Sequence, residues 1–380
     1  MKLSQHRILT THVGSLPRSE EVFKLVFAKE AGEKIDMNHY DQVIADAVQS
    51  VVRKQTDVGV DVVSDGEQSK ISYATYIKHR LNGFDGDSPR RTPKDLEEYP
   101  AFSKRASSSG GVPTYSRPQC VGPISVKDLK PLEVDLQNFK DALSTSESTD
   151  AFMNAASPGV IAQFQPNKHY PDHSSYLYAL ADAMKVEYEG IAEAGLVIQI
   201  DSPDLALGRH VLFKDQSDEE FVTMAELHIE ALNHALQNIP AEQLRLHVCW
   251  GNYQGPHHCD IEMKKILPAV LKAKPMALSF EGANPRHSHE WSVFRDAKIP
   301  ENKVLIPGVL DSTTNFVEHP ELVAERICRF ADIVGRERVI AGSDCGFSTF
   351  AGFGIVDADI TYAKLGSLVR GAEIASQRLW

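Results

Sequence analysis

The feature that most constrains the fold is a regular alternation of short apolar runs with longer amphipathic stretches. Apolar and β-branched runs predict eight strands, at residues 8–13, 61–64, 159–164, 196–200, 244–249, 276–280, 304–309 and 339–341. Apolar residues at spacings of three and four predict helices over 40–58, 176–194, 218–237, 319–334 and 360–378. Strands that alternate with helices form parallel sheets. Eight such units predict a single-domain α/β chain, a closed (β/α)₈ (TIM) barrel over residues 1–380.

One region breaks this alternation after the second predicted strand. Residues 83–118 are dense in glycine, proline, serine and charged residues, including Asp85-Gly-Asp-Ser-Pro-Arg-Arg91 and Ser107-Ser-Ser-Gly-Gly111. We predict an insertion over 83–136, with a small hairpin formed by 119–126 and 132–134. Long irregular insertions in compact domains are commonly functional. Because no Gly-x-Gly-x-x-Gly motif follows a strand, an open dinucleotide-binding sheet is disfavoured.

Composition excludes several classes of protein. No run approaches 18 apolar residues, so we expect no membrane span, and the absence of an apolar signal core favours the cytoplasm. The formal net charge of −12 disfavours nucleic acids and anionic membranes as partners. Five cysteines without a Cys-x-x-Cys pair argue against a disulfide framework. Small-molecule substrates are therefore expected, and a homo-oligomer is compatible with the sequence.

Ligand-type side chains follow the predicted strands. His247 and Cys249 are two residues apart on the fifth strand, so both side chains point to one side of the sheet. Glu281 and Cys345 follow the sixth and eighth strands. Because the carboxyl ends of barrel strands meet at one mouth, these four residues are a predicted tetrahedral zinc site. The alternative is that the cysteines are buried only for packing.

The composition of this ligand set suggests a particular chemistry. Two thiolates and one carboxylate leave a Zn²⁺ site with net negative charge, which makes the metal a modest Lewis acid. Such a site is better suited to holding a substrate thiol, whose ordinary pKa is about 8.5, as a thiolate. Displacement of the carboxylate would leave an activated sulfur nucleophile. The predicted reaction is alkylation of a thiol.

Six segments together resemble a known family. They are Thr11-His-Val-Gly-Ser-Leu-Pro-Arg18, Asp65-Gly-Glu67, Gln199-Ile-Asp201, His247-Val-Cys249, Glu281 and Asp344-Cys345-Gly346. In this order they resemble the C-terminal catalytic barrel of cobalamin-independent methionine synthase and its short, single-barrel relatives. The resemblance covers nearly the whole chain. It implies a (β/α)₈ barrel, zinc on His247, Cys249, Glu281 and Cys345, and methyl transfer to a homocysteine-type thiol in methionine biosynthesis.

The resemblance also implies roles for residues that bind the amino-acid thiol. Ser15 would hold its carboxylate, while Glu67 and Asp201 would hold its ammonium group. Arg18 is a candidate for an anionic substrate group, and Phe164 takes the place of a tryptophan that stacks on folate in the family. The alternatives are structural: Ser15 as a helix N-cap, Glu67 as a solvated loop acid and Asp201 as a cap.

The residues expected to act on the alkyl donor depart from the family pattern. Members of the family carry a histidine two residues after the aspartate of the seventh strand, thought to supply a proton to the folate leaving group. Here Asp311 is followed by Thr313 at that position, and a threonine hydroxyl is a poor acid at neutral pH. Both remain candidate catalytic residues, but a methyltetrahydrofolate donor is in doubt.

Three other functions remain open. The first is thiol addition to an epoxide, as in the epoxyalkane–coenzyme M transferases among the short relatives. The second is a non-catalytic zinc- or thiol-binding barrel. The third, ranked low, is a metal-free lyase related in fold to uroporphyrinogen decarboxylase, which would leave the cysteines and His247 unexplained.

Overall fold

The computed structural model describes residues 1–109, 115–351 and 354–380. Its strands are β1 (Leu9–Thr10), β2 (Val62–Val63), β3 (Leu81–Asp85), β4 (Gln119–Val126), β5 (Asp150–Ala156), β6 (Val197–Asp201), β7 (Leu244–Val248), β8 (Ala277–Phe280), β9 (Val304–Leu310) and β10 (Ile340–Ser343). Its helices are α1 (Glu20–Glu30), α2 (Met37–Asp57), α3 (Lys94–Glu97), α4 (Pro100–Ser109), α5 (Lys130–Leu143), α6 (Pro158–Phe164), α7 (His173–Glu193), α8 (Gly208–Val211), α9 (Asp218–Ala235), α10 (Met263–Val270), α11 (Trp291–Asp296), α12 (Pro320–Val334) and α13 (Ala358–Leu379).

Eight parallel strands form a nearly closed barrel, in the order β1-β10-β9-β8-β7-β6-β5-β2. This confirms the predicted α/β barrel class. Side chains bridge the seam between β1 and β2. The Asp61 carboxylate accepts hydrogen bonds from the Thr10 backbone N–H (2.8 Å) and hydroxyl (2.9 Å), and Thr11 Oγ1 donates to the Val62 carbonyl (3.1 Å). The first strand is therefore held to the second by side-chain contacts.

The seam gives a prediction about stability. Asp61→Ala is expected to lower the free energy of unfolding by about 2–4 kcal/mol, because buried donors on Thr10 lose a charged acceptor. Arg7→Ala is the matched control: Arg7 pairs with the same carboxylate but is 53% exposed, so its loss should cost under about 1 kcal/mol. Urea unfolding of both variants measures the difference. Equal destabilisation by the two changes would assign the effect to the ion pair instead.

The third predicted strand, over residues 159–164, is wrong. These residues lie in α6, because Ser157 caps the helix by accepting from the Val160 N–H (2.9 Å) and Pro158 occupies its first turn. The third barrel strand is β5, immediately before this cap, and nearly all of its residues are buried. The apolar run of a short buried helix cannot be distinguished from a strand by periodicity alone.

The predicted hairpin is also different. The strand over 119–126 is present as β4, but it pairs antiparallel with β3 instead of with 132–134. Residues 132–134 lie in α5, where Pro131 is in the first turn and Asp128 accepts from the Lys130 N–H (2.9 Å). The rest of the insertion contains α3 and α4, and its residues 110–114 lie outside the described part of the chain.

Helices surround the barrel and bury one apolar face each. In α2, buried side chains recur at Tyr40, Ile44, Val48, Val51 and Val52, and Asp36 caps the helix N-terminus. Inside the barrel, the buried Arg245 guanidinium lies 3.9 Å from the centre of the Phe152 ring and donates to the His12 carbonyl (2.6 Å). Across the described ranges, no helix is both long enough and apolar enough to cross a bilayer.

Candidate metal centre

Three ligand-type side chains meet at the carboxyl ends of β7 and β10. His247 lies on β7 and Cys249 follows that strand, while Cys345 lies just beyond β10. The two Sγ atoms are 3.7 Å apart, and one ligand atom from each of the three residues lies within 4.8 Å of the others. Two thiolates at about 2.3 Å from one tetrahedral zinc ion would stand roughly 3.8 Å apart. The spacing of the two thiols therefore fits a shared metal ion.

Glu281 lies beside these three residues, just after β8. One carboxylate oxygen accepts from the Trp250 N–H and the other from Asn284 Nδ2, both at 2.8 Å. The Glu281 carboxylate also interacts with the Cys249 thiol. Glu281 is thus adjacent to His247, Cys249 and Cys345, but it is not among the residues whose ligand atoms all lie within 4.8 Å of one another. The bond from Trp250 holds the carboxylate against the loop that carries Cys249, while the bond from Asn284 lies within the loop of Glu281 itself.

The protonation chemistry of the group suits a cation. Burial and the nearby Arg245 lower the pKa of His247 to about 3, so its imidazole is neutral at physiological pH. Neither ring nitrogen of His247 has a hydrogen-bond partner among the described residues, which leaves a buried lone pair available. The Cys345 thiol and burial raise the pKa of Cys249, and burial raises the pKa of Glu281. A bound cation would offset the cost of ionising these groups.

Asp344 connects the two loops that carry Glu281 and Cys345. Its carboxylate accepts hydrogen bonds from the backbone N–H groups of Gly282, Ala283 and Asn284, each at 2.8 Å. Burial raises the pKa of Asp344 to about 6. Asp344 therefore positions the Glu281 loop against the end of β10.

A cavity of about 350 Å³ opens above the thiols. The predicted substrate residues Ser15, Glu67, Asp201 and Phe164 line it, together with His247, Cys249 and Cys345. Asp201 accepts from Asn154 Nδ2 (2.9 Å) and Gln199 Nε2 (2.8 Å). Among the described residues, Oε2 of Glu67 is buried without a hydrogen-bond partner. Such an orphaned acceptor beside a second carboxylate suits a cationic ligand group.

Glu67 and Asp201 are both electrostatically perturbed. Burial, together with the neighbouring Asp201 charge, raises the pKa of Glu67 to about 8, against a lowering effect of Lys70. Burial raises the pKa of Asp201 to about 6. Glu67 also has a φ of +55°, a backbone conformation uncommon for residues other than glycine. Strained, buried acids of this kind cluster at functional sites.

Ser15 and Arg18 occupy different surroundings. Ser19, not Ser15, caps α1, so the helix-cap alternative for Ser15 is wrong. Ser15 instead faces the cavity, where a Cβ on Gly346 would come within 2.0 Å of its hydroxyl. The Arg18 guanidinium donates to the backbone carbonyls of Glu67, Lys70 (3.0 Å) and Ser348 (2.9 Å), and Arg18 is not part of the cavity lining. Arg18 therefore positions the Glu67 loop.

Thr313 and Asp311 lie on another side of the centre. Thr313 lines a second, more open cavity of about 720 Å³ that also includes Glu281. Its backbone N–H and its hydroxyl both donate to Asp311 Oδ1 at 2.8 Å. Neither residue lines the cavity that contains the thiols. Thr313 instead shares the second cavity with Glu281.

Several residues of the site were not predicted from the sequence. Asn154, which orients Asp201, lies on β5, the strand that the sequence interpretation missed. Tyr115, Arg90, Arg91 and Arg117 reach the thiol cavity from the insertion. The arginine-rich composition at 90–91 was the only available signal for them. A second group of ligand-type residues, Glu98, His258 and Cys259, is largely exposed.

Two thiols, an imidazole and a carboxylate lie at the carboxyl ends of the parallel barrel strands. Enzymes with a (β/α)₈ barrel have their active sites at this end of the barrel. Residues 8–89 and 161–358 match the family model of the cobalamin-independent synthase catalytic domain. The matched residues make up more than half of the chain. The chain belongs to this family.

Individual relatives agree with this assignment. The chain is 27% identical to the methionine synthase of Saccharolobus solfataricus over 97% of its own length and 95% of that protein. It is 25% identical to the methionine synthase of Sulfurisphaera tokodaii, over 97% and 93%. The fold is also that of a B12-independent methionine synthase from Shewanella sp. W3-18-1 in complex with selenomethionine. That match has a TM-score of 0.71, 20% identity, and coverage of 98% of this chain and 99% of that one.

Proposed function

We propose that the chain is a zinc-dependent methyltransferase that alkylates the thiol of a homocysteine-type acceptor. The observation that carries this proposal is the convergence of His247, Cys249 and Cys345, with Glu281 beside them. Membership of the synthase family supports methyl transfer as the reaction. The methionine synthases named above support homocysteine as the model for the acceptor.

These four residues would hold the zinc ion. When bound, zinc would lower the pKa of the acceptor thiol so that it is held as a thiolate near neutral pH. Glu67 and Asp201 would bind the acceptor's ammonium group, and Asn154 and Gln199 keep the Asp201 carboxylate oriented toward it. In the reaction, the acceptor sulfur forms a bond to the methyl carbon while the bond from that carbon to its leaving group breaks. The leaving group departs with the electron pair.

The pair Asp311 and Thr313, expected to act on the alkyl donor, favours a second candidate reaction. A basic amine leaving group, such as a reduced folate, requires a proton, and the Thr313 hydroxyl already donates to Asp311. This arrangement supports a donor whose leaving group needs no proton from this position. Thiol addition to an epoxide, the reaction of the epoxyalkane–coenzyme M transferases, is the alternative that we retain, and the alkoxide formed on ring opening would take its proton from water and not from Thr313.

Turnover with defined donors tests the proposed function. Purified, zinc-loaded protein is incubated with homocysteine or 2-mercaptoethanesulfonate, and with 5-methyltetrahydrofolate, a methyl sulfonium compound or epoxypropane. Mass spectrometry then detects the alkylated thiol. We expect a product that disappears after metal removal and returns with zinc. Zinc and thiol binding without turnover of any donor would instead favour a non-catalytic barrel.

Glu67 gives a pH prediction that is independent of the thiol. Because its pKa is raised to about 8, Glu67 is mostly protonated at pH 6–7 and must lose a proton to bind an ammonium group well. The affinity for L-methionine is therefore expected to increase from pH 6, with a midpoint near pH 8, and to level off only above that midpoint. In Glu67→Gln this dependence should flatten and binding should weaken by about 10-fold or more. Isothermal titration across this pH range measures both; an unchanged profile in the variant would contradict the role of Glu67.

A further inference from the structure

Described residues of the insertion over 83–136, among them Arg90, Leu96 and Tyr115, line the cavity above the thiols. The two edges of the insertion are joined where the Ser88 N–H donates to the Arg117 carbonyl (2.7 Å). It is also docked on the loop after β7, because Asp95 accepts from the Tyr253 hydroxyl (2.8 Å) and the His257 N–H (2.9 Å). This part of the insertion is therefore fixed against the barrel mouth.

Aromatic rings line the cavity between the thiols and the insertion. Tyr73 lines the same cavity as Cys249 and Cys345. The Tyr73 ring centre is 5.8 Å from that of Phe164 and 5.6 Å from that of Phe350. These rings can contact a flat or apolar portion of a substrate while excluding water from the thiols.

Three arginines stand at the outer edge of this wall. Arg90, Arg91 and Arg117 line the same cavity, and the Arg117 guanidinium is 5.6 Å from the centre of the Phe164 ring. Within the described ranges, none of the three forms an ion pair with a carboxylate, and Nε of Arg117 is buried without a hydrogen-bond partner. Arg90 and Arg91 are exposed and Arg117 is half-buried, so their guanidinium groups are accessible to an anionic ligand group at the cavity.

The charges of the cavity are therefore segregated. The acids Glu67 and Asp201, which line the cavity, are buried, whereas Arg90 and Arg91 are exposed and Arg117 is half-buried. Guanidinium groups that stack on aromatic rings keep their in-plane N–H donors free for a carboxylate, sulfonate or phosphate. A ligand that spans the cavity would meet acids at one end, rings in the middle and guanidinium groups at the other end.

We propose that Arg90, Arg91 and Arg117 form an anion-binding rim that selects substrates carrying a carboxylate, sulfonate or phosphate group. This proposal rests on the proposed function, because it concerns the substrates that reach the same thiols. The anionic group can belong to the acceptor thiol or to a second substrate with an apolar or aromatic body. The rim thereby gives the insertion a role in specificity.

Binding to the zinc-loaded full chain tests the rim without requiring turnover. Isothermal titration compares 2-mercaptoethanesulfonate with neutral 2-mercaptoethanol, and 3-phenylpropionate with its neutral amide. Wild type is compared with Arg117→Gln and with the Arg90→Gln/Arg91→Gln/Arg117→Gln triple variant. The control is Arg295→Gln, an exposed arginine on α11 that pairs with Asp296. Circular dichroism establishes that each variant is folded, and the single variant remains informative if the triple variant is not.

We expect at least one anion to bind wild type better than its neutral counterpart. Arg117→Gln should lower the affinity for that anion by about 10-fold, and the triple variant should lower it further. The affinity for the neutral probes should not change in these variants, and Arg295→Gln should bind all probes as wild type does. A preference confined to the sulfonate assigns the rim to the acceptor, and one confined to 3-phenylpropionate assigns it to the second substrate. Equal binding of anions and neutral probes, or of wild type and the triple variant, would overturn the proposal. Failure of the proposed function would look different, as anion binding without metal-dependent turnover.

Discussion

Replacing Cys345 with serine is expected to reduce bound zinc from about one ion per chain to a small fraction of that value. The Cys345 thiol is 3.7 Å from the Cys249 thiol, so the variant removes one of two adjacent soft ligands. Loss of a residue that only orients a ligand costs about 10–100-fold in metal affinity, so loss of a ligand should cost at least about 100-fold. Metal analysis after dialysis, with a competing chelator for affinity, measures the change.

The matched control is Cys328→Ser. Cys328 is a half-buried free thiol on α12, away from the centre, and its replacement should leave zinc content and thiol alkylation unchanged. Full zinc occupancy in Cys345→Ser would exclude Cys345 as a ligand. Equal loss in both variants would point to general thiol binding instead of a defined site.

The second large effect is expected for Asp344→Ala. This change leaves the N–H groups of Gly282, Ala283 and Asn284 without their acceptor. At about 1–3 kcal/mol for each of the three unsatisfied groups, the free energy of unfolding should fall by roughly 3–9 kcal/mol. Because the same loop carries Glu281, zinc affinity should also decrease by about 10–100-fold.

The two effects of Asp344→Ala can be measured separately. Urea unfolding gives the stability, and metal competition at a temperature where circular dichroism is native-like gives the zinc affinity. Asp359→Ala provides a comparison, since Asp359 is an exposed aspartate in the first turn of α13. Unchanged zinc affinity in folded Asp344→Ala would show that Glu281 is positioned by its bonds to Trp250 and Asn284 alone.

The sequence predicted the barrel because most of its strands and helices have a strong hydrophobic period. It also predicted that His247, Cys249 and Cys345 would meet, because residues that follow parallel strands share one edge of the sheet. It failed at β5, where the Ser157-Pro158 helix start was not recognised and Asn154 was missed with the strand. Arg90, Arg91 and Arg117 could not be assigned, because their position depends on how an irregular insertion docks on distant loops.

The way the barrel closes also constrains how the chain can be assembled. The ladder partner of β1 is β10, with Leu9 opposite Ile340, while β2 contacts β1 through side chains. During synthesis, β1 therefore has no ladder partner until β10, near residue 340, has been made. We expect the Thr11 amide, which follows β1 and donates to the Ala341 carbonyl on β10 (2.8 Å), to be among the last amides at this seam to gain protection from hydrogen exchange during refolding. A chain without β1 would expose the edge of β10, and one without β10 would expose the edge of β9, and such free edges are prone to association.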